Sequence, residues 1–231
     1  MKLSTVVAAA GSTLFIAASA NAGYDGVFWT EVDNEGVADR TIDLYVGFDN
    51  SLDEINAIAG TVLNRLSIRV EGGTFYQNTF GGTTAPNAAF MDPFPSVAYD
   101  TFVTIGKWDN DGDQTQLSPN FPGFGSSELG GAQDLNNDGQ PDGDNLLWFI
   151  TPGEAQGVAG NHTSNRVLVA RLSAIALAPG GDVDFSGEFS VQGFEDGDLF
   201  SRDVVFSTVP APGALALLAV GGLLGRGRRR R

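Results

Sequence analysis

The sequence predicts an all-β protein, a single two-sheet β-sandwich of the jelly-roll or immunoglobulin-like kind. Three observations predict it. Apolar residues recur at every second position, amphipathic helical spacing is almost absent, and 31 glycines with clusters of Asn, Asp and Pro punctuate the runs. Successive side chains of a strand point to opposite faces, so each alternating run offers one face to a core.

In chain order, residues 27–32 open the series. Ile42, Leu44, Val46 and Phe48 alternate with Asp43, Tyr45, Gly47 and Asp49. Residues 51–60 have a partly helical look, and a strand edge is the other reading. Leu66, Ile68 and Val70 alternate with Ser67 and Arg69. Tyr99, Thr101, Val103 and Ile105 face away from Phe102 and Thr104, and residues 146–151 form a short apolar run suited to a core strand. Residues 166–177 make a long strand candidate that sets Leu168, Ala170 and Leu172 against Val167, Val169 and Arg171. Val183, Phe185, Phe189 and Val191 follow, then residues 199–207. This predicts roughly eight or nine strands. The order in which they pair is not readable from the spacing.

Both ends carry a different signature. Lys2 precedes an apolar stretch, residues 6–18, interrupted only by Gly11, Ser12 and Thr13. Ala20, Asn21 and Ala22 then fit the small-x-small rule of a secretory signal peptide, which places cleavage before Gly23. A buried N-terminal helix is the alternative. At the other end, Val209-Pro210-Ala211-Pro212-Gly213 leads into an uncharged stretch, residues 214–225, and then into Arg226, Arg228, Arg229, Arg230 and Arg231. A helix of roughly 13–15 residues covers about 20–22 Å, short of the roughly 30 Å hydrocarbon core. Such a segment holds an inner membrane transiently, and the arginines beyond it stay on the cytoplasmic side.

The signal peptide, the Val-Pro-x-Pro-Gly step, the short apolar helix and the terminal arginines together resemble the PEP-CTERM sorting signal. Pro210 and Pro212 match its two prolines, and Ala211 stands where the family usually has glutamate. The resemblance implies an exported protein of a Gram-negative cell. Its tail would be cut by an exosortase, and it would be associated with exopolysaccharide at the cell surface or in the extracellular matrix. The chain then divides into a signal peptide (1–22), an acidic sandwich (23–208) and a sorting signal (209–231).

Charge agrees with a solvated body. The chain has 13 Lys and Arg against 28 Asp and Glu. Lys2 and the five terminal arginines are six of those bases and neither end carries an acid, so the segment between holds seven bases and 28 acids, a net of −21. That balance argues against nucleic acid, whose phosphates need clustered Lys and Arg. There is no cysteine. Stability must come from core burial, with or without help from metal, and thiol catalysis, cysteine zinc sites and iron–sulfur clusters are excluded.

The most chemically suggestive stretch is 107–145, longer than an ordinary hairpin loop and acidic at both ends. In its second cluster Asp134, Asn136, Asp138 and Asp142 stand at relative positions 1, 3, 5 and 9, with Gly139 at 6. That spacing suits Ca²⁺, because alternate residues of a tight loop point inward and Gln140 can add its backbone oxygen. The cluster resembles the calcium loops of dockerins and thrombospondin type 3 repeats. Position 12 is Asn145 rather than an acid, and Asp144 lies one residue early. Asp109, Asp111 or Asp113 of the first cluster could supply a missing ligand. Asp, Asn and Gly also simply make turns, and that reading stands beside the calcium one.

Phe80, Phe90, Phe94, Phe121 and Phe124 fall in loop-like, proline-rich surroundings, where phenylalanines generally plug down onto a core. Trp108 is the best candidate for an exposed sugar-stacking platform. His162 is the only histidine and has no partner visible in the sequence, so it reads as solvated. No Gly-x-Ser-x-Gly, no His-Glu-x-x-His and no phosphate-cradling loop occurs, and no enzyme is expected. The segments Tyr99-Asp100-Thr101-Phe102-Val103-Thr104-Ile105-Gly106 and Leu147-Trp148-Phe149-Ile150-Thr151-Pro152 loosely resemble cohesin and carbohydrate-binding-module sandwiches. The expectation is therefore a non-enzymatic surface or matrix protein with Ca²⁺ as its candidate cofactor. The alternative is a carbohydrate-binding module that recognises a defined glycan.

Overall fold

A computed structural model describes residues 23–119, 121–124, 126–131 and 141–209. The expected signal peptide, and the expected sorting signal beyond Val209, lie outside the described residues. Among those described, no helix is long and apolar enough to cross a membrane.

The described residues form twelve strands in two sheets, and every ladder is antiparallel. The first sheet runs β1 (Tyr24–Glu31), β2 (Arg40–Phe48), β10 (Arg166–Ala176), with β5 (Gly73–Phe75) and β6 (Phe102–Val103) end to end along the far edge of β10. In the second, β11 (Asp184–Glu195) is flanked on one side by β12 (Asp198–Ser207). On its other side lie β3 (Glu54–Ala59) and β4 (Ser67–Glu71), end to end. β9 (Leu147–Phe149) extends the sheet beyond β3, β8 (Glu128–Gly130) beyond β4, and β7 (Gln116–Leu117) beyond β9. A single core fills the space between the sheets. Ile42, Leu44, Val46 and Phe48 enter it from one side, and Phe185, Phe189 and Val191 from the other. The two-sheet β-sandwich expected from alternation is what forms.

Three elements differ from expectation, each for a physical reason. Residues 54–59 are a strand in the interior of the second sheet, between β9 and β11, and neither a helix nor an edge. The pairing of β3 with β11 skips Asn56, a β-bulge that turns both Ile55 and Ile58 into the core. The bulge spaces the two isoleucines three apart, and this spacing mimics a helical period.

In β10 the pairing with β2 skips Val169. Val167 and Val169 face the core before the bulge, Ala170, Leu172 and Ala174 after it, and Leu168 and Arg171 point outward. The unbroken alternation expected over 166–177 therefore changes phase at one residue. The long strand expected over 99–105 shortens to Phe102–Val103, because Pro95–Tyr99 closes into a 3-10 turn that leads directly into it.

The loop expected over 107–145 is not wholly irregular, since it contributes β7 and β8. β5, β7 and β8 span only two or three residues each, too few to show a period. At one end of the sandwich Arg40 ties the sheets together. It bonds Glu31 of β1 at 2.6 Å, Asp184 of β11, and Thr208 Oγ1 at 3.0 Å, with its guanidinium over the rings of Trp29 and Phe185.

Candidate functional site

The outward side chains of the first sheet build a cleft of about 840 Å³. Tyr45 of β2 points outward because Leu44 and Val46 on either side point into the core. Across from Arg166, the partner position on β2 is Gly47, and its missing side chain leaves room for the Phe28 ring. Arg166 lays its guanidinium 4.0 Å above that ring. The remaining walls come from two connections, the loop after β6 carrying Lys107 and Trp108, and the turns before β10 carrying Glu154, Asn161 and His162.

Trp108 is 45% exposed, as a platform requires. Its indole meets Tyr45 edge-on at 6.3 Å between centroids. The Arg171 guanidinium lies 4.9 Å from the ring, and Arg171 is itself fixed by a two-oxygen ion pair with buried Asp43. Cation–π contact and the ion pair hold the ring while leaving part of it to solvent.

Gln156 sews the two loops together. Its side-chain amide donates to Ile105 O at 2.7 Å and to Asp113 Oδ1 at 3.1 Å, and its Oε1 accepts from Gln114 N at 2.9 Å. Gly106 sits in the left-handed region, φ 76°, and a Cβ there would collide with Gln156 O and the His162 ring. His162 is not the solvated histidine the sequence suggests. It is half-buried, and its Nε2 lies 2.8 Å from Gln156 O. A carbonyl only accepts, so Nε2 carries the proton. Burial pushes the imidazole below its ordinary range, with Lys107 repelling the extra charge, so His162 is a neutral positioning group.

The first acidic cluster is spent on turns. Asp109 Oδ1 accepts from Asp111 N at 2.8 Å, Asp113 Oδ1 accepts from Thr115 N at 2.9 Å, and Lys107 Nζ donates to Asp111 O at 3.0 Å. Of the calcium candidates, Asp134, Asn136, Asp138 and Gln140 lie outside the described residues. Asp142 and Asp144 are buried in a 3-10 turn pinned through Gly143, whose N–H donates to Gly131 O and whose carbonyl accepts from Leu66 N. Asp144 is ion-paired with Arg65. Among the described residues no group of three or more His, Asp or Glu stands together as a metal cage.

The loop phenylalanines divide. Phe124 is buried against Phe75, and Phe121 packs on the core beside Trp148. Phe80, Phe90 and Phe94 instead stay 40–46% exposed and pack on one another, with Phe80 and Phe94 stacked at 4.4 Å. Buried Asp100 supports their loop by accepting from Asn78 N at 2.7 Å and Gly82 N at 2.8 Å.

Of the cleft residues, Trp108 stood out in the sequence, whereas Tyr45, Lys107, Glu154 and Arg166 did not. Only knowing which bases are ion-paired could have pointed to Lys107 and Arg166, and several of those pairs, such as Arg171 with Asp43 and Arg65 with Asp144, join residues far apart in the chain. The Pro210, Pro212, Gly213 and arginine positions of the tail, with Ala20 and Ala22 of the leader, lie outside the described residues. No family model, curated protein or solved structure matches this chain.

Proposed function

We propose that this chain is an exported, non-enzymatic protein of the cell surface or extracellular matrix that engages exopolysaccharide through the Trp108 cleft. The half-exposed, rigidly supported indole carries the reading. A pyranose ring stacks on an aromatic face, and the neighbouring Lys107, Glu154, Asn161 and Arg166 offer hydrogen bonds to its hydroxyls. On this reading the body is a jelly-roll or immunoglobulin-like sandwich, and an exosortase-type enzyme removes the tail after transient residence in the inner membrane. Calcium held at Asp134, Asn136, Asp138, Gln140, Asp142 and Asp144 would order the long loop.

Affinity electrophoresis of the processed protein in gels containing single polysaccharides tests the cleft. Retardation that is lost in Trp108→Ala supports it, and mobility unchanged in every polysaccharide rejects it. The exposed platform also favours the narrower alternative, a carbohydrate-binding module for one defined glycan. Retention by a single polysaccharide of the set would select that alternative. Fractionation of native cells with and without the terminal arginines tests the sorting step separately.

A further inference from the structure

Residues 23–209 contain only seven bases. Arg40, Arg65, Arg69, Arg171 and Arg202 each form an ion pair with Asp or Glu. Lys107 and Arg166 are the two that have no carboxylate within ion-pair distance among the described residues, and both line the Trp108 cleft. Each is positioned without being neutralised, Lys107 by the backbone oxygen of Asp111 and Arg166 by the face of Phe28. In a body with 28 acids, two uncompensated cations in one groove are the electrostatic imprint of an anionic ligand.

We propose that the cleft takes an acidic sugar unit, its carboxylate or sulfate ester held by Lys107 and Arg166 and its ring stacked on Trp108. This rests on the glycan-cleft reading and adds the charge of the ligand. Glu154, which also lines the cleft, would accept hydrogen bonds from sugar hydroxyls and disfavour the anion near itself. The acidity of the rest of the body is no obstacle at physiological ionic strength, where screening acts over about 8 Å.

Two matched pairs test it near that ionic strength, oligogalacturonate against its methyl ester, and dextran sulfate against dextran. Retention of one charged member over its neutral twin is expected, and the pair that shows it names the anion. Lys107→Gln and Arg166→Gln should each weaken binding of the charged member by roughly ten-fold more than they weaken binding of its neutral twin. Equal binding of charged and neutral members overturns the acidic preference while leaving the glycan cleft standing. Binding of none overturns both.

A separate observation carries a second inference. Asp53 is 1% exposed; its Oδ1 accepts from Asp196 N, but its Oδ2 is buried with no hydrogen-bond partner. That oxygen lies 3.1 Å from where a Cβ on Gly23 would stand, and the Glu195 Cγ lies 2.9 Å from the same point, so both carboxylates crowd the Gly23 Cα. Gly23 is the residue that signal cleavage after Ala22 would make the first of the processed chain.

We infer that the α-ammonium released at Gly23 is the missing partner of Asp53, so that export processing completes a buried ion pair. It supplies a cation to a corner that holds Asp49, Asp196 and Glu195 and where, among the described residues, Arg202 on Glu195 is the one ion-paired base. Amino-terminal mapping of the exported protein tests the cleavage position by itself. Urea unfolding of chains beginning at Gly23 and at Ala22, each with Asp53 intact and with the Asp53→Asn substitution, tests the pair. The extra residue should lower the midpoint by roughly half a molar or more with Asp53 present and change it little in Asp53→Asn. An equal effect in both backgrounds, or none in either, overturns the pair.

Discussion

At the scale of single residues, the cleft depends on positions that tolerate little change. Gly106 has a left-handed backbone and no space for a Cβ beside Gln156 O and His162. Gly106→Ala should cost about 1–3 kcal/mol in urea unfolding and weaken any ligand that needs Trp108, because both loops of the cleft must shift. Asp100 makes a prediction about pH. Burial pushes its carboxyl up to about 6 from an ordinary 3.8, against three backbone N–H groups that pull it down. A carboxyl with a raised folded pKa binds its proton more tightly when folded. Its contribution to stability is therefore full below about 3.8 and is lost as pH rises through about 6. Wild type should lose ground to Asp100→Asn between about pH 4 and 7, and a flat or opposite trend in paired urea titrations would discard the assignment. None of this was legible in the sequence. Asp100 looks like one polar position of an expected strand, and His162 like a solvated loop residue, until the chain folds over them.

At the scale of elements, alternation located the strands and bulges decided their phase. Ile42 to Phe48 kept one parity throughout, and all four apolar residues reached the core as expected. Val169 and Asn56 each add one residue to a strand without a partner opposite, and each reverses the faces on one side of itself. In β10 the phase change leaves Arg171 facing outward like Leu168, and there its guanidinium backs the Trp108 ring. Arg40 is the comparable device between the sheets. Arg40→Met keeps the apolar stem but leaves Glu31 and Asp184 without their cation, and should cost on the order of 2 kcal/mol by urea unfolding. A loss no larger than a few tenths would mean that hydrophobic contact alone holds that end closed.

At the scale of the whole molecule, the acidic body and the long loop before β9 set the remaining expectation. If the loop holds Ca²⁺ through Asp134, Asn136, Asp138 and Asp142, millimolar Ca²⁺ should raise the melting temperature by several degrees over a chelated sample. Identical melts would remove the site. The sequence by itself determined the all-β class, most inward-facing residues and the surplus of acid, because period-two alternation and composition are local properties of a chain. Only the tertiary structure decided where the bulges fall, that 54–59 is an interior strand, and that Tyr45, Trp108 and Arg166 share one groove. Those outcomes depend on which strands pair and in what register, and residues far apart in the chain meet through packing that no local pattern encodes.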